Sequence, residues 1–161
     1  MYKLILILLL SINISSNDLV LSFNQLINNN LSFIQTTDTG AEEVQSIGQI
    51  YKKEDVIEII IDSPNREKYT IRDSLIEIYD YEFDQTQIIE INDDNSFLID
   101  FLNNKFDFDD IQILDKNSFI VFKNNKEFTI SIISESTFSI IYKDNMDYKN
   151  SILFTTLWIF Y

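Results

Sequence analysis

Polar and apolar side chains alternate along residues 33–91, and this period of two constrains the fold more than any other feature of the chain. In residues 66–72, Lys68 and Thr70 fall on one side of an extended segment, and Tyr69 and Ile71 fall on the other. Short polar turns between such segments predict that neighbouring strands pair antiparallel. We therefore predict strands at 31–37, 46–53, 56–62, 66–72, 75–81 and 86–91.

A helix is predicted on each side of this run of strands. Residues 18–29 place Leu19, Phe23 and Ile27 on one face, and the asparagines at 28–30 suit a left-handed stop. The second helix follows the sixth strand, and its apolar face is formed by Phe97, Leu98, Phe101 and Leu102.

The alternation returns after the second helix, with strands predicted at 109–115, 118–123, 126–133 and 137–143. Asn124-Asn125 suits a two-residue hairpin turn, and the apolar run 151–161 predicts a last strand. No linker or internal repeat divides the chain. The pattern predicts one domain, a strongly curved antiparallel sheet with helices across its open side.

The first residues have the layout of a signal peptide. Lys3 is the only charged residue before Asp18, residues 4–14 are apolar, and Ser15 and Ser16 are small residues at the expected cleavage position. The apolar run is about half of the ~20 residues that a membrane-spanning helix needs. We predict a signal peptide at 1–16 and a domain at 17–161, with an uncleaved signal anchor as the alternative. Because the chain has no cysteine, a lipid anchor is not expected.

The composition predicts that the protein is not an enzyme and holds no metal or cofactor. Histidine and cysteine, the commonest bases, nucleophiles and metal ligands, are absent, and Gly40 and Gly48 form no phosphate loop. A net charge of −14 argues against binding to nucleic acid. Hydrolysis or calcium binding remains open at two acidic clusters, which are Asp80, Glu82 and Asp84, and Asp107, Asp109 and Asp110.

Three sequence motifs follow one another along the predicted strands. They are Phe33-Ile34-Gln35, of the form Phe-x-Gln, Gly48 in the next strand, and residues 79–85, which are similar to Tyr-Asp-Pro-x-x-x-Gln with Tyr81 in place of proline. In these motifs and their order the chain resembles the LolA family of periplasmic lipoprotein carriers. The helix at 97–102 falls where that family has its lid helix.

The resemblance implies a mainly β fold with a helical lid, an incomplete antiparallel β-barrel of about 10–11 strands covered by short helices. It implies a periplasmic monomer that carries triacylated lipoproteins from an inner-membrane ABC transporter to an outer-membrane, LolB-like receptor. Residues expected at the acyl-chain cavity or lid are Leu19, Phe23, Ile27, Ile57, Ile59, Tyr69, Ile71, Ile76, Ile78, Phe97, Leu98, Phe101 and Leu102.

The chain departs from the family at its lid contact. Where the family has Arg-Pro after the second strand, this chain has Lys52-Lys53-Glu54. The family arginine bonds lid backbone carbonyls, so the resemblance implies Lys53 as the lid gate.

The alternatives to a carrier are a LolB-like receptor, a secreted structural or adhesive β-domain with a filled core, and a hydrolase.

Overall fold

The computed structural model describes residues 16–92, 96–103, 111–123 and 126–157, and of residues 16, 17 and 96–98 it describes the backbone alone. Residues 1–15 of the predicted signal peptide at 1–16, the acidic cluster at 107–110 and the Asn124-Asn125 turn lie outside the described residues. Neither helix in the described part is long and apolar enough to cross a membrane.

The described elements follow the predicted order of helix, six strands, helix and five strands. They are α1 (Ser16–Ile27), β1 (Leu31–Asp38), β2 (Glu43–Lys53), β3 (Val56–Ser63), β4 (Glu67–Arg72), β5 (Leu75–Asp80), β6 (Gln85–Glu90), α2 (Ser96–Leu102), β7 (Ile111–Ile113), β8 (Ser118–Lys123), β9 (Lys126–Ser134), β10 (Thr137–Lys143) and β11 (Lys149–Thr156). The mainly β fold is confirmed.

All the described strands belong to one antiparallel sheet, in the order β6-β5-β4-β3-β2-β1-β11-β10-β9-β8-β7. Two runs of hairpin-connected strands are joined where β1 pairs with β11, with Phe33 opposite Phe154. The edge strands are β6 and β7, and the chain passes from one to the other through α2. This open sheet with two short helices is consistent with an incomplete β-barrel.

The period of two places one apolar row from each strand on a common inner face. Register pairs Leu31 with Ile50, Ile57 with Ile71, and Ile71 with Ile76, and all five side chains are buried. The opposite, outer face carries partly exposed side chains such as Ile34 and Ile47. The core therefore lies on the face where the helices pack.

Phe23 of α1 is the centre of an aromatic cluster that fills one half of the inner face. Its ring centroid lies 5.1 Å from Phe101 of α2, 5.6 Å from Phe119 of β8 and 5.3 Å from Phe138 of β10. Phe138 in turn stacks on Phe154 of β11 at 4.8 Å. These contacts fix both helices against strands β8–β11 by burying rings that are in edge or offset contact.

The predicted left-handed stop after α1 is wrong. In the described part of the chain, the non-glycine residues with positive φ are Glu54, Asp73, Asp84 and Asp147. Asn29 instead caps the helix with its side chain, whose Nδ2 donates to the carbonyl oxygen of Gln25 at 2.7 Å. This bond satisfies a terminal carbonyl, so the helix ends without a left-handed residue.

Gly48 is required where β1, β2 and β3 approach one another. A Cβ at this position would lie 2.2 Å from the carbonyl oxygen of Ile60 and 2.7 Å from the ring of Phe33. The ring of Phe33 therefore lies across the glycine, in the space that a side chain would otherwise occupy.

Replacing Gly48 with alanine is expected to lower the free energy of unfolding by about 2 kcal/mol, because overpacking forces backbone shifts. Urea denaturation of the variant would measure this loss. Gly40→Ala is the control for the loss of a glycine, because no atom lies within 4 Å of the position that an added Cβ would take. The φ of +80° at Gly40 means that alanine there also carries backbone strain. An unchanged midpoint for Gly48→Ala would contradict the close approach.

Candidate functional site

The half of the inner face that the aromatic cluster leaves free contains an apolar cavity of ≈ 490 Å³. Strands β1–β5 and β11 form its wall, and Ile99 of α2 lines it on the helical side. Its apolar lining is Phe33, Ile50, Ile59, Ile61, Ile71, Ile76, Ile99, Ile152 and Phe154, with the ring of Tyr69 among them. The volume falls within the range of ~300–1,000 Å³ that is usual for small-molecule sites.

The polar side chains of the cavity gather at one end. Gln35 and Ser46 are opposite each other on β1 and β2, and Asn65 and Glu67 stand at the turn into β4. Tyr69 donates a hydrogen bond from its hydroxyl to Glu67 Oε2 at 2.6 Å. Burial, and then this bond to Glu67, raise the pKa of Tyr69 well above its usual value.

Gln35 is held by a partly buried polar network at this end. Asn150 of β11 is buried, and its Nδ2 donates to the carbonyl oxygen of Tyr148 at 3.1 Å. Its Oδ1 accepts from Thr37 Oγ1 at 2.7 Å and from Gln35 Nε2 at 3.1 Å. The glutamine of the Phe-x-Gln motif therefore links β1 to β11, while the phenylalanine forms cavity wall.

Lys52 lies at the opposite end of the inner face and contacts both helices. Its Nζ donates to the carbonyl oxygen of Ile27, the last residue of α1, at 2.5 Å, and to that of Leu102, the last residue of α2. Both acceptors lie at the negative ends of helix dipoles, where a cation is favoured. Desolvation by burial lowers the pKa of Lys52 from 10.5 to about 8.

The expectation that Lys53 bonds backbone carbonyls of the second helix is wrong, because Lys52 bonds the last carbonyl of α2 instead. Lys53 is exposed and donates to Glu58 Oε2 at 2.5 Å, and Lys68 binds the other carboxylate oxygen at 2.7 Å. The two lysines differ because adjacent strand residues point to opposite faces. Ile50 of β2 is buried on the inner face, and alternation places Lys52, two residues later, on the same face. This alternation in the sequence could have identified Lys52.

The residues predicted for the cavity divide into three groups in the structure. Ile59, Tyr69, Ile71 and Ile76 line the cavity, and Ile57 and Ile78 lie beside it on the same inner face. Leu19, Phe23, Ile27, Phe101 and Leu102 are buried in the packed core beneath the helices. The side chains of Phe97 and Leu98 lie outside the described residues.

Several lining residues were missed by sequence reasoning. Ile152 and Phe154 alternate in the last strand, but only their pairing with β1 brings them to the cavity. Phe33 and Ile50 alternate in the first two strands and were available from the same pattern. Ile99 was missed because the apolar face of the second helix was assigned to Phe97, Leu98, Phe101 and Leu102.

The Tyr-Asp motif forms a turn at the β5–β6 hairpin. Asp80 Oδ1 accepts from the backbone N–H groups of Glu82 and Phe83 at 2.8 and 3.1 Å, and the Tyr79 hydroxyl donates to Asp84 Oδ1 at 2.6 Å. Asp84 has a φ of 51°, which suits an aspartate in a turn. The carboxylates of Asp80 and Asp84 therefore stabilise the turn.

Comparison with known proteins leaves the family open. No family model matches the chain, and no curated protein matches it. A solved structure of an uncharacterized conserved protein from Thermus thermophilus is similar at a TM-score of 0.43 and 8% sequence identity. That likeness covers 89% of this chain and 88% of the Thermus chain.

Proposed function

We propose that this protein is a periplasmic carrier that binds the acyl chains of lipoproteins in its apolar cavity. The carrier receives them from an inner-membrane ABC transporter and delivers them to a LolB-like receptor at the outer membrane. The observation that carries the proposal is the ≈ 490 Å³ apolar cavity, left open beside a filled aromatic core. Triacylated lipoproteins are its ligands.

The cavity suits this work because acyl-chain transfer needs burial and no chemistry. Each methylene taken out of water contributes about 0.8 kcal/mol, so a cavity lined by isoleucine and phenylalanine binds a chain without catalytic groups. The competing proposal is a structural β-domain with a filled core. It is supported only by the half of the inner face that the aromatic cluster fills.

In this proposal α2 is the lid of the cavity. Ile99 of α2 forms the cavity wall on that side, so displacing the helix would widen the site. Two lysines hold the helix in place: Lys52 bonds its last carbonyl, and Lys123 of β8 forms an ion pair with Asp100. Lys52 thereby takes the role that the resemblance gives to an arginine, and it serves α1 as well.

Adjacent isoleucines of β3 give a matched test of the cavity. Ile59 lines it, whereas Ile60 points to the outer face opposite Lys68. Ile59→Trp would fill the cavity and is expected to weaken binding of a fluorescent acyl probe at least about tenfold. Ile60→Trp is expected to bind within about twofold of the wild type. Circular dichroism spectra of both variants would show that they are folded.

Release of labelled lipoprotein from spheroplasts that carry the matching transporter tests the carrier function itself. Wild-type protein and Ile60→Trp are expected to bring label into the soluble fraction as a one-to-one complex, and Ile59→Trp is expected not to. Label that stays in the membrane with folded wild-type protein would overturn the carrier. Equal probe binding by Ile59→Trp and wild type would instead overturn the cavity as the site.

A further inference from the structure

We infer that the cavity selects acyl ligands whose polar end is neutral or cationic and donates hydrogen bonds, and that it rejects ligands ending in a carboxylate or phosphate. This inference rests on the proposed acyl-chain function and concerns which lipid the same cavity takes.

The first observation is the charge at the polar end of the cavity. Glu67 is the charged residue of the described lining, and its neighbour across the β4–β5 pair is Asp80. Tyr69 is already a donor to Glu67, which fixes the carboxylate beside the apolar wall. An anionic head group would therefore meet a like charge in a partly desolvated site, where repulsion is strong.

The nearby cations are engaged elsewhere. The guanidinium of Arg66, the residue before β4, lies 4.6 Å from the ring centroid of Tyr81, and the Tyr81 ring contacts that of Tyr79 on the outer face of β5. Lys68 is on that outer face too, 2.7 Å from Glu58. In the part of the chain that the structure describes, neither side chain is placed to neutralise an anion at the cavity.

The second observation is the orientation of the Gln35 amide. The backbone carbonyl of Tyr148 can only accept, so it fixes the Asn150 amide with Nδ2 toward it and Oδ1 toward β1. Asn150 Oδ1 then accepts from Gln35 Nε2, and the same Nε2 donates to Thr37 Oγ1 at 3.3 Å. The group of Gln35 that remains for a ligand is its carbonyl oxygen, which is an acceptor.

Two fixed acceptors, the Glu67 carboxylate and the Gln35 carbonyl, therefore stand at the polar end of the cavity, beside Ser46 and Asn65, which can donate as well as accept and so do not select between the two kinds of ligand. An amide N–H, a hydroxyl or an ammonium group can donate to both. A carboxylate or a phosphate diester cannot donate and would leave these acceptors unpaired, which is the usual basis of discrimination at a polar site. The ligand class is thus N-acyl amides, acylglycerols and amines, as opposed to free fatty acids and anionic phospholipids.

Displacement of a fluorescent acyl probe by three ligands of equal chain length tests this selectivity at pH 7. The ligands are dodecylamine, N-methyldodecanamide and dodecanoate, each below its micelle concentration. With the wild-type protein, the amine and the amide are expected to bind at least about tenfold more tightly than dodecanoate. In Glu67→Gln the preference for the amide over dodecanoate is expected to fall to within about twofold.

Two further variants separate local charge from net charge and from folding. Glu77→Gln removes one negative charge from the outer side of β5, away from the cavity lining, and is expected to keep the wild-type preference. Tyr69→Phe removes the hydrogen bond to Glu67 and keeps its charge, so it is also expected to reject dodecanoate.

If the three ligands displaced the probe from the wild-type protein with equal affinity, the selectivity would be overturned. The proposal of an acyl-chain carrier would still stand. The selectivity would also be overturned if Glu67→Gln and Glu77→Gln changed the preference equally. No probe binding at all would overturn the proposed function, and the inference with it.

Discussion

Replacing Phe23 with alanine is expected to lower the free energy of unfolding by about 4 kcal/mol, within the ~3–5 kcal/mol that truncation of a buried aromatic side chain usually costs. Phe23 is fully buried and its ring contacts those of Phe101, Phe119 and Phe138. Removing it leaves a void between both helices and the β8–β11 half of the sheet. Since domains are stable by only ~5–15 kcal/mol, the loss would be a large part of the total.

Chemical denaturation followed by circular dichroism would measure this loss, with Leu21→Ala as the matched control. Leu21 lies on the same helix with 57% of its surface exposed, so its truncation is expected to change stability by less than about 0.5 kcal/mol. If Phe23→Ala and Leu21→Ala cost the same, then α1 does not pack on the sheet through Phe23.

The stability difference between the wild type and Lys52→Met is expected to increase by about 2 kcal/mol between pH 7 and pH 10. The pKa of Lys52 is lowered from 10.5 to about 8 by desolvation. Below pH 8 both the folded and the unfolded chain carry the proton, and burying the charge opposes folding. Between pH 8 and 10.5 the folded chain releases the proton first, so this group adds stability as the pH rises.

At pH 7 the methionine variant is expected to be about as stable as the wild type, because two effects oppose each other. Methionine removes a buried charge, which stabilises, and leaves the carbonyls of Ile27 and Leu102 without their lysine donor, which destabilises. At pH 10 the wild-type amine is neutral and still donates, so only the second effect remains.

Two more substitutions test this interpretation of Lys52. Lys52→Arg keeps a donor that stays charged, so its stability is expected to lack the rise between pH 8 and 10. Lys53→Met removes an exposed lysine that is bound to Glu58 and is the control for the loss of a surface lysine from β2. Urea midpoints at pH 7, 8, 9 and 10 would measure all three variants. If the stability difference between Lys52→Met and the wild type stayed constant from pH 7 to pH 10, the lowered pKa of Lys52 would be contradicted.

Strand and helix positions could be predicted from the sequence because they depend on local periods. The alternation in residues 66–72 predicts β4, and the apolar spacing of Leu19, Phe23 and Ile27 predicts α1. Short turns then make β1 to β6 consecutive neighbours. The inward-facing set, including Ile59, Ile71 and Ile76, follows from the same alternation.

The pairing of β1 with β11 and the location of the cavity were decided by the tertiary structure. Ser32 and Thr155 are 123 residues apart and no local pattern relates them, yet their pairing brings Ile152 and Phe154 to the cavity. Likewise, the apolar pattern of α1 does not say whether Phe23 touches a ligand or fills the core. That depends on which strands the helix meets, and here Phe119 and Phe138 fill the space around it.

The sequence by itself determined the element order and which side chains share a face, since both follow from backbone geometry over a few residues. The tertiary structure decided which half of that face is filled, which half stays open, and that Lys52 reaches the ends of two helices. These features depend on contacts between segments far apart in the chain, such as the pairing of β1 with β11, and no local period in the sequence specifies such contacts.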